Sequence, residues 1–203
     1  MDIKTLIVGP IQENCYIASH PQSKEAVVID PGDEADMIID YIREHALKVK
    51  YILLTHGHHD HIGAVAEVKK ITEALVAIHA DDQAMLTDMD KNLGDIALEP
   101  ADMILHNNDV LSFGEYHLRV IYTPGHTRGG CCFYEATEKI CFTGDTLFKG
   151  TVGRTDLYGG DYGAILVSVR ERLSIVADDC TIYPGHGPDS TMAYERKVNP
   201  YVR

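Results

Sequence analysis

The segment THGHHDHIG, residues 55–63, carries His56, His58, His59, Asp60 and His61. Imidazole and carboxylate groups both bind metal ions, but neighbours along one short segment cannot surround an ion without help from elsewhere. Three further apolar runs end in residues of the same chemistry. VKYILL leads into Thr55-His56-Gly57-His58, and LRVIY leads into Thr123-Pro124-Gly125-His126. KICF leads into Thr143-Gly144-Asp145, and CTIY into Pro184-Gly185-His186. Gly125, Gly144 and Gly185 stand directly before His126, Asp145 and His186, where a glycine lets the chain turn and the ligand point inward at a strand end. Strand ends set side by side would build a site along one edge of the sheets, with function carried on loops held by a rigid scaffold.

Geometry divides the cluster. In an extended chain His56 and His58 face the same way, because strand side chains alternate with period two. His59 then points away and is expected to be idle. Asp60 and His61 begin the next helix and project in a different direction. On this reading His56, His58 and His126 are candidates for one ion, Asp60, His61 and His186 for a second, and Asp145 could bridge them with its two oxygens. A His/Asp set without thiolates suits zinc, iron or manganese in a catalytic rather than a structural role. His20, His45, His106 and His117 lie in turn-like or exposed patterns and are not expected to be ligands. His79, closing the run LVAIH, reads as structural. Asp30, in VVIDPG, has two open roles: orienting a ligating imidazole from behind, or forming the turn before Pro31-Gly32.

The elements that must hold these residues are short. Strand-like runs KTLIV, NCYIAS and EAVVID precede a helical pattern over EADMIIDYIREHA, with Met37, Ile38, Tyr41 and Ile42 at helical spacing. The strand VKYILLT, a helix over IGAVAEVKKI and the strand LVAIH follow. Residues 81–105 are acidic and the least regular part. The second half brings the strands HLRVIYTP, CCFYEA, KICFTGD and CTIYPG, with a helix over GAILVSVRERL. Strands and helices in both halves, joined by hairpins and crossovers, predict a two-sheet sandwich with helices outside. At 203 residues the chain suits a single domain spanning 1–203.

Composition narrows the function. A net charge of −13 repels polyanions, which argues against a nucleic-acid partner; bound divalent cations would offset part of that charge. No apolar run reaches the ~20 residues of a membrane span. MDIKTLIVGPIQENCYIA reads as a first strand rather than a signal peptide, so a cytoplasmic protein is expected. The five cysteines are odd in number, form no C-x-x-C pair and sit in apolar runs, which disfavours a disulfide framework.

T-H-x-H-x-D-H followed by separate His, Asp and His resembles the metallo-β-lactamase superfamily, along nearly the whole chain. VIDPG, TPGHT, FTGDTLF, GRTD and the terminal Glu195-Arg196…Asn199-Pro200 resemble most closely the glyoxalase II (hydroxyacylglutathione hydrolase) group, in its short bacterial form without a C-terminal helical domain. The resemblance implies an αββα sandwich of the α/β (α+β) class, with two mixed sheets between outer helices. It implies two divalent metal ions, zinc before iron or manganese. His56, His58, His126 and Asp145 would hold one, and Asp60, His61, His186 and the shared Asp145 the other. The implied reaction is hydrolysis of a small thioester such as an S-acyl-glutathione. A water shared by the two ions and lowered to a pKa of roughly 7 would supply the nucleophile, and Asp60 would help to orient it.

Two departures bear on the substrate. In the glyoxalase II pattern a lysine and a tyrosine that contact glutathione follow GDTLF. Here KGTVGRTDLYGGD offers Arg154 for the lysine and no clear counterpart for the tyrosine. Arg128 and Arg154 are the candidates for a substrate carboxylate, which a guanidinium can hold with two parallel hydrogen bonds. GRTD is also similar to persulfide dioxygenases, in which two histidines and an aspartate, corresponding to His56 or His58 with His126 and Asp145, hold one iron. Secreted β-lactamases fit less well, since many carry a cysteine at the position of Asp145. A non-catalytic metal-binding protein would be expected to lack a ligand, and none is missing.

Overall fold

The apolar strands build two six-stranded sheets packed face to face in the computed structural model, which describes residues 1–203. The first sheet runs in sequence order: β1 (Asp2–Val8), β2 (Glu13–Ser19), β3 (Glu25–Ile29), β4 (Lys48–Leu53), β5 (Leu75–His79) and β6 (Met103–Leu105). The opening strands are antiparallel, and β3 to β6 are parallel. Parallel neighbours need crossovers, supplied by helices α1 (Ala35–Glu44), α2 (His59–Ile62), α3 (Val65–Thr72), α4 (Gln83–Thr87) and α5 (Met89–Asn92). The second sheet contains β7 (Val110–Phe113), β8 (Tyr116–Tyr122), β9 (Cys131–Glu135) and β10 (Ile140–Gly144). A small hairpin, β11 (Leu147–Phe148) and β12 (Thr151–Val152), and helix α6 (Tyr162–Arg170) then lead to β13 (Thr181–Pro184), β14 (Ser190–Thr191) and α7 (Met192–Val198).

Both faces of each sheet are covered, so alternate residues of one strand enter different layers of core. Ala18, Val27, Ile29 and Leu53 point between the sheets and meet Phe113, Phe133 and Phe142 from the opposite one. Ile17, Val28 and Ile52 point outward, against Ile38, Ile42 and Val68 of α1 and α3. Cys132, Cys141 and Ile182 pack on Val169 of α6 and Met192 of α7. Truncating a fully buried phenylalanine such as Phe133 would cost about 3–5 kcal/mol. All five cysteines are free and buried. Helix α1 buries Ile38, Ile39 and Ile42, while Met37 faces solvent at 45% exposure, so the apolar stripe is turned by one residue from the expected one. No helix is long and apolar enough to cross a membrane.

Strand direction gathers the ligand-bearing ends. β8 and β10 both run antiparallel to β9, and β13 runs parallel to β10. The C-terminal ends of β8, β10 and β13 therefore lie on one edge of the second sheet, carrying His126, Asp145 and His186. The end of β4 reaches the same edge from the other sheet: the Thr55 carbonyl accepts from the Cys131 amide at 2.9 Å. The start of β2 closes it. Glu13 bridges His186, the Asn14 amide donates to the Gly185 carbonyl at 2.8 Å, and the Tyr16 hydroxyl donates to the Pro184 carbonyl at 2.6 Å.

Candidate metal centre

The four strand ends meet in a cleft of about 410 Å³ lined by His58, His59, Asp60, His126, Asp145 and His186, with Ile11, Leu93, Phe148, Arg154 and Leu157 around them. The chain leaves β4 and reaches His58 still extended, at φ −69° and ψ 149°. The His56 and His58 rings lie on the same side, their centroids 4.8 Å apart. Helix α2 then begins and turns Asp60 and His61 the other way. Two groups line up on the cleft side, each with its ligand atoms within 4.8 Å of one another: His56 with His58 and His126, and Asp60 with His61 and His186; a third within the same limit, Asp30 with His56 and His61, joins these two from behind. Asp145 stands between them. Its Oδ2 is 3.4 Å from His126 Nε2 and 3.8 Å from His186 Nε2, and its Oδ1 is 3.4 Å from His61 Nε2.

Three of the histidines are oriented from behind. Thr55 donates its amide to Asp30 Oδ1 at 2.7 Å and its hydroxyl to Asp30 Oδ2 at 2.5 Å. With its proton so committed, the Thr55 oxygen accepts from His56 Nδ1 at 3.1 Å. Asp30 Oδ2 also accepts from His61 Nδ1 at 3.1 Å. His126 Nδ1 donates to the Arg154 carbonyl at 2.8 Å. In all three rings the Nε2 lone pair is thereby aimed into the cleft. Of the two roles left open by the sequence, Asp30 takes the first: both its oxygens are committed to Thr55 and His61 behind the site, and its own backbone is left-handed at φ 49°.

A metal fits this donor set. His56 Nε2, His61 Nε2 and Asp145 Oδ1 are buried without a hydrogen-bond partner. His58 Nδ1 and His126 Nε2 face each other at 2.9 Å. Buried polar atoms are almost always paired, and cations held by the two groups would satisfy these. Burial, with the His61, His58 and His126 charges adding to it, keeps His56 neutral far below the usual histidine range; burial and the neighbouring His126 push His58 down to about 3. On the other side the carboxylates win. Burial opposes the charge on His61, but Asp145 and Asp30 outweigh it and raise its pKa well above the usual value. Burial likewise opposes charge on Asp60, yet the His186 hydrogen bond at 3.1 Å and the His61 charge hold it below the usual carboxylate range.

His59 joins neither group, and its ring packs against Gly94. His20, His45, His79, His106 and His117 belong to no such cluster; His79 stacks on Tyr122 with ring centroids 4.3 Å apart. Arg154 lines the cleft mouth, where its guanidinium is paired with both Asp156 oxygens at 2.8 Å. Arg128 lies outside the cleft, over the Tyr158 ring, on a separate hollow bounded by Asp81, Tyr122 and Asp161.

Several residues that build the site are not among the candidates named from the sequence, although Glu195 and Asn199 lie in a segment that carries the resemblance. Asn14 and Tyr16 grip the loop bearing His186 from about 170 residues away, Asn14 donating to the Pro184 and Gly187 carbonyls at 3.0 and 2.8 Å. Glu195, fully buried, accepts from the Gly150 amide at 2.9 Å and from Asn199 Nδ2 at 2.8 Å, with Ser190 as a third donor. Asn199 in turn holds the Thr151 carbonyl at 3.0 Å, so α7 fixes the hairpin that leads to Arg154. Glu13 lies behind His61, its Oε1 3.7 Å from Nδ1, and burial holds its carboxyl well above the usual range.

Comparison with known proteins agrees with this fold. The family model of the metallo-beta-lactamase superfamily matches residues 8–186. The chain is 34% identical to the probable metallo-hydrolase YqgX of Bacillus subtilis, over all of this chain and 98% of that protein. It is also 34% identical to the hydroxyacylglutathione hydrolase GloC of Haemophilus influenzae, with the same coverage. Among solved structures, the BLEG-1 B3 metallo-beta-lactamase superposes with a TM-score of 0.94 at 35% identity, covering 99% of each chain. TTHA1623 in a di-iron-bound form gives 0.84 at 33% identity, covering 98% of this chain and 99% of that one.

Proposed function

Because the chain belongs to the metallo-β-lactamase superfamily, we propose that it is a binuclear metallohydrolase of small acyl-thioesters, of the S-acyl-glutathione kind. The observation that carries this reading is the pairing of two ligand groups, His56/His58/His126 and Asp60/His61/His186, across one carboxylate, Asp145. Two divalent cations held there would supply a water-derived nucleophile at neutral pH and positive charge for the carbonyl oxygen.

The protein's own groups do the rest. Asp30 and Thr55 keep the His56 and His61 protons on Nδ1, so that Nε2 faces the cleft. Asp60, at the mouth with Oδ2 on His186, would hold a cation and could orient the attacking water through its carboxylate. A thiolate leaves without a dedicated acid, and none is assigned. GloC, named a hydroxyacylglutathione hydrolase, supports this substrate class, and the di-iron form of TTHA1623 supports two cations. A persulfide dioxygenase with one iron would use two histidines and an aspartate and leave the Asp60/His61/His186 group without a task. The ETHE1 structure from Myxococcus xanthus is a more distant match at 25% identity.

The test is a panel of thioesters, including lactoylglutathione, with β-lactams and glutathione persulfide as comparators, run on zinc-, iron- and manganese-loaded protein. Hydrolysis of a thioester with at least one metal is expected. Absence of thioester turnover with all three would refute the reading, and oxygen uptake with the persulfide would replace it by the dioxygenase one.

A further inference from the structure

The mouth of the cleft is apolar and lacks a free cation. Ile11, Leu93, Phe148 and Leu157 line it beside the candidate ligands, and Arg154, the one Lys or Arg in the lining, is already paired with Asp156. Leu93 stands at the C-terminal end of α5 with φ 64° and ψ 25°. A left-handed residue at that position is normally glycine or asparagine, because a larger side chain meets the following carbonyl. Leucine accepts that strain without being buried in return: it remains 40% exposed.

The loop that presents Leu93 is clamped. Asn92 is fully buried; its Nδ2 donates to the Met85 and Ile96 carbonyls at 2.9 and 2.7 Å, and its Oδ1 accepts from the Gly94 amide at 2.9 Å. Gly94 packs so closely on His59 that an added Cβ would lie 2.4 Å from the His59 Cβ. His59, which joins neither ligand group, thus buttresses the loop. Glu73 closes α3 with the same left-handed backbone, so what sets Leu93 apart is an exposed apolar side chain that a clamped loop holds against the candidate metal cleft.

Resting on the thioesterase reading, we propose that Leu93, with Ile11, Phe148 and Leu157, forms a lip that receives the hydrocarbon part of the acyl group, making this protein favour thioesters with longer alkanoyl chains. The −13 net charge and a lining whose one Lys or Arg is held by Asp156 favour an uncharged acyl group at the same place. Specificity then grows with the apolar surface the acyl chain buries.

The experiment compares acetyl, butanoyl and hexanoyl esters of one thiol on zinc-loaded protein. In parallel, calorimetry measures binding of acetate, butyrate and hexanoate, which mimic the acid product. In the wild type kcat/KM and carboxylate affinity are expected to rise about two- to four-fold per added methylene. Leu93→Asn removes the apolar side chain while suiting the left-handed backbone, so it should melt no lower than wild type yet flatten the dependence on chain length in both arms. Ile11→Ser, on the exposed β1–β2 connection, should flatten it in the same direction. A wild-type response independent of chain length, or an unchanged slope in Leu93→Asn, overturns the lip. If thioesters are cleaved but chain length has no effect, the lip alone fails. If no thioester is cleaved while carboxylate affinity still climbs with length and falls in Leu93→Asn, the lip stands and the thioesterase reading fails.

Discussion

Replacing Asp30 by asparagine should disable both metal positions through proton placement. The carboxylate accepts three hydrogen bonds, from the Thr55 amide at 2.7 Å, the Thr55 hydroxyl at 2.5 Å and His61 Nδ1 at 3.1 Å. Asparagine has one oxygen. If that oxygen keeps the Thr55 amide, its NH2 faces the Thr55 hydroxyl and His61 Nδ1, and both must become acceptors. The Thr55 proton then turns toward His56 Nδ1, and in each ring the remaining proton moves to Nε2, the atom aimed into the cleft. Losing such a supporting contact typically weakens metal binding by about 10–100-fold. Here one substitution acts on a histidine of each group. Metal-free stability should fall by about 1–3 kcal/mol, since charge-assisted bonds of about 1.5–3 kcal/mol are exchanged for neutral ones. Zinc titration against a competing chelator, with nitrogen NMR of the imidazoles for the tautomers, reads the effect. Thr55→Val is the companion: it releases His56 alone and should weaken only the His56/His58/His126 position. Zinc affinities for Asp30→Asn within about three-fold of wild type at both positions, against the expectation just given, would refute the reasoning.

Three further outcomes follow from the same geometry. Gly144 has φ +46°, and an added Cβ would lie 2.2 Å from Thr55 Oγ1, so Gly144→Ala should lose about 2 kcal/mol or more in urea denaturation and loosen His56 as well. Glu195→Ala would strand the Gly150, Ser190 and Asn199 donors and should cost about 3 kcal/mol or more. In that variant kcat/KM should also fall, because the Thr151–Arg154 segment loses its anchor. Metal uptake should be pH-dependent mainly on one side. Despite burial, Asp145 and Asp30 raise the His61 pKa, and the hydrogen bond to Asp60 together with the Asp145 charge raises that of His186. Both therefore keep a proton until the pH passes above the ordinary histidine value of ~6.5, and binding there must expel it. His56 and His58 are neutral already. Calorimetry in buffers of different ionisation enthalpy near pH 7 should find proton release on filling the Asp60/His61/His186 position and little on filling the other.

What the sequence made legible is local chemistry joined to strand direction. The H-x-H-x-D-H spacing separates into two groups because extended chain gives way to helix at His59, and the distant His126, Asp145 and His186 converge because β8, β10 and β13 share a direction. Short elements such as β6, β7, the β11–β12 hairpin, β14 and α7 escaped, since a run of two to seven residues carries too few turns or alternations to establish a period. Contacts across the fold were equally silent. Nothing in NCY announces that Asn14 and Tyr16 will hold Pro184, and Glu195, though part of a segment that carries the resemblance, shows its role only through its three donors. Arg128 follows His126 closely in sequence but not in space. Thr127 and Gly129 both donate to the buried Asp82, at 2.6 Å each, and that anchorage turns Arg128 out over Tyr158.

The central claim is that two cations, held by His56/His58/His126 and Asp60/His61/His186 on either side of Asp145, together hydrolyse a thioester. Stepwise addition of zinc to metal-free protein, with bound metal and thioester hydrolysis measured in the same samples, tests it most directly. The account predicts two equivalents bound per chain, with turnover rising mainly as the second is filled and a plateau beyond it. Saturation at one equivalent with full activity, or two equivalents bound with no thioester cleaved, would contradict it.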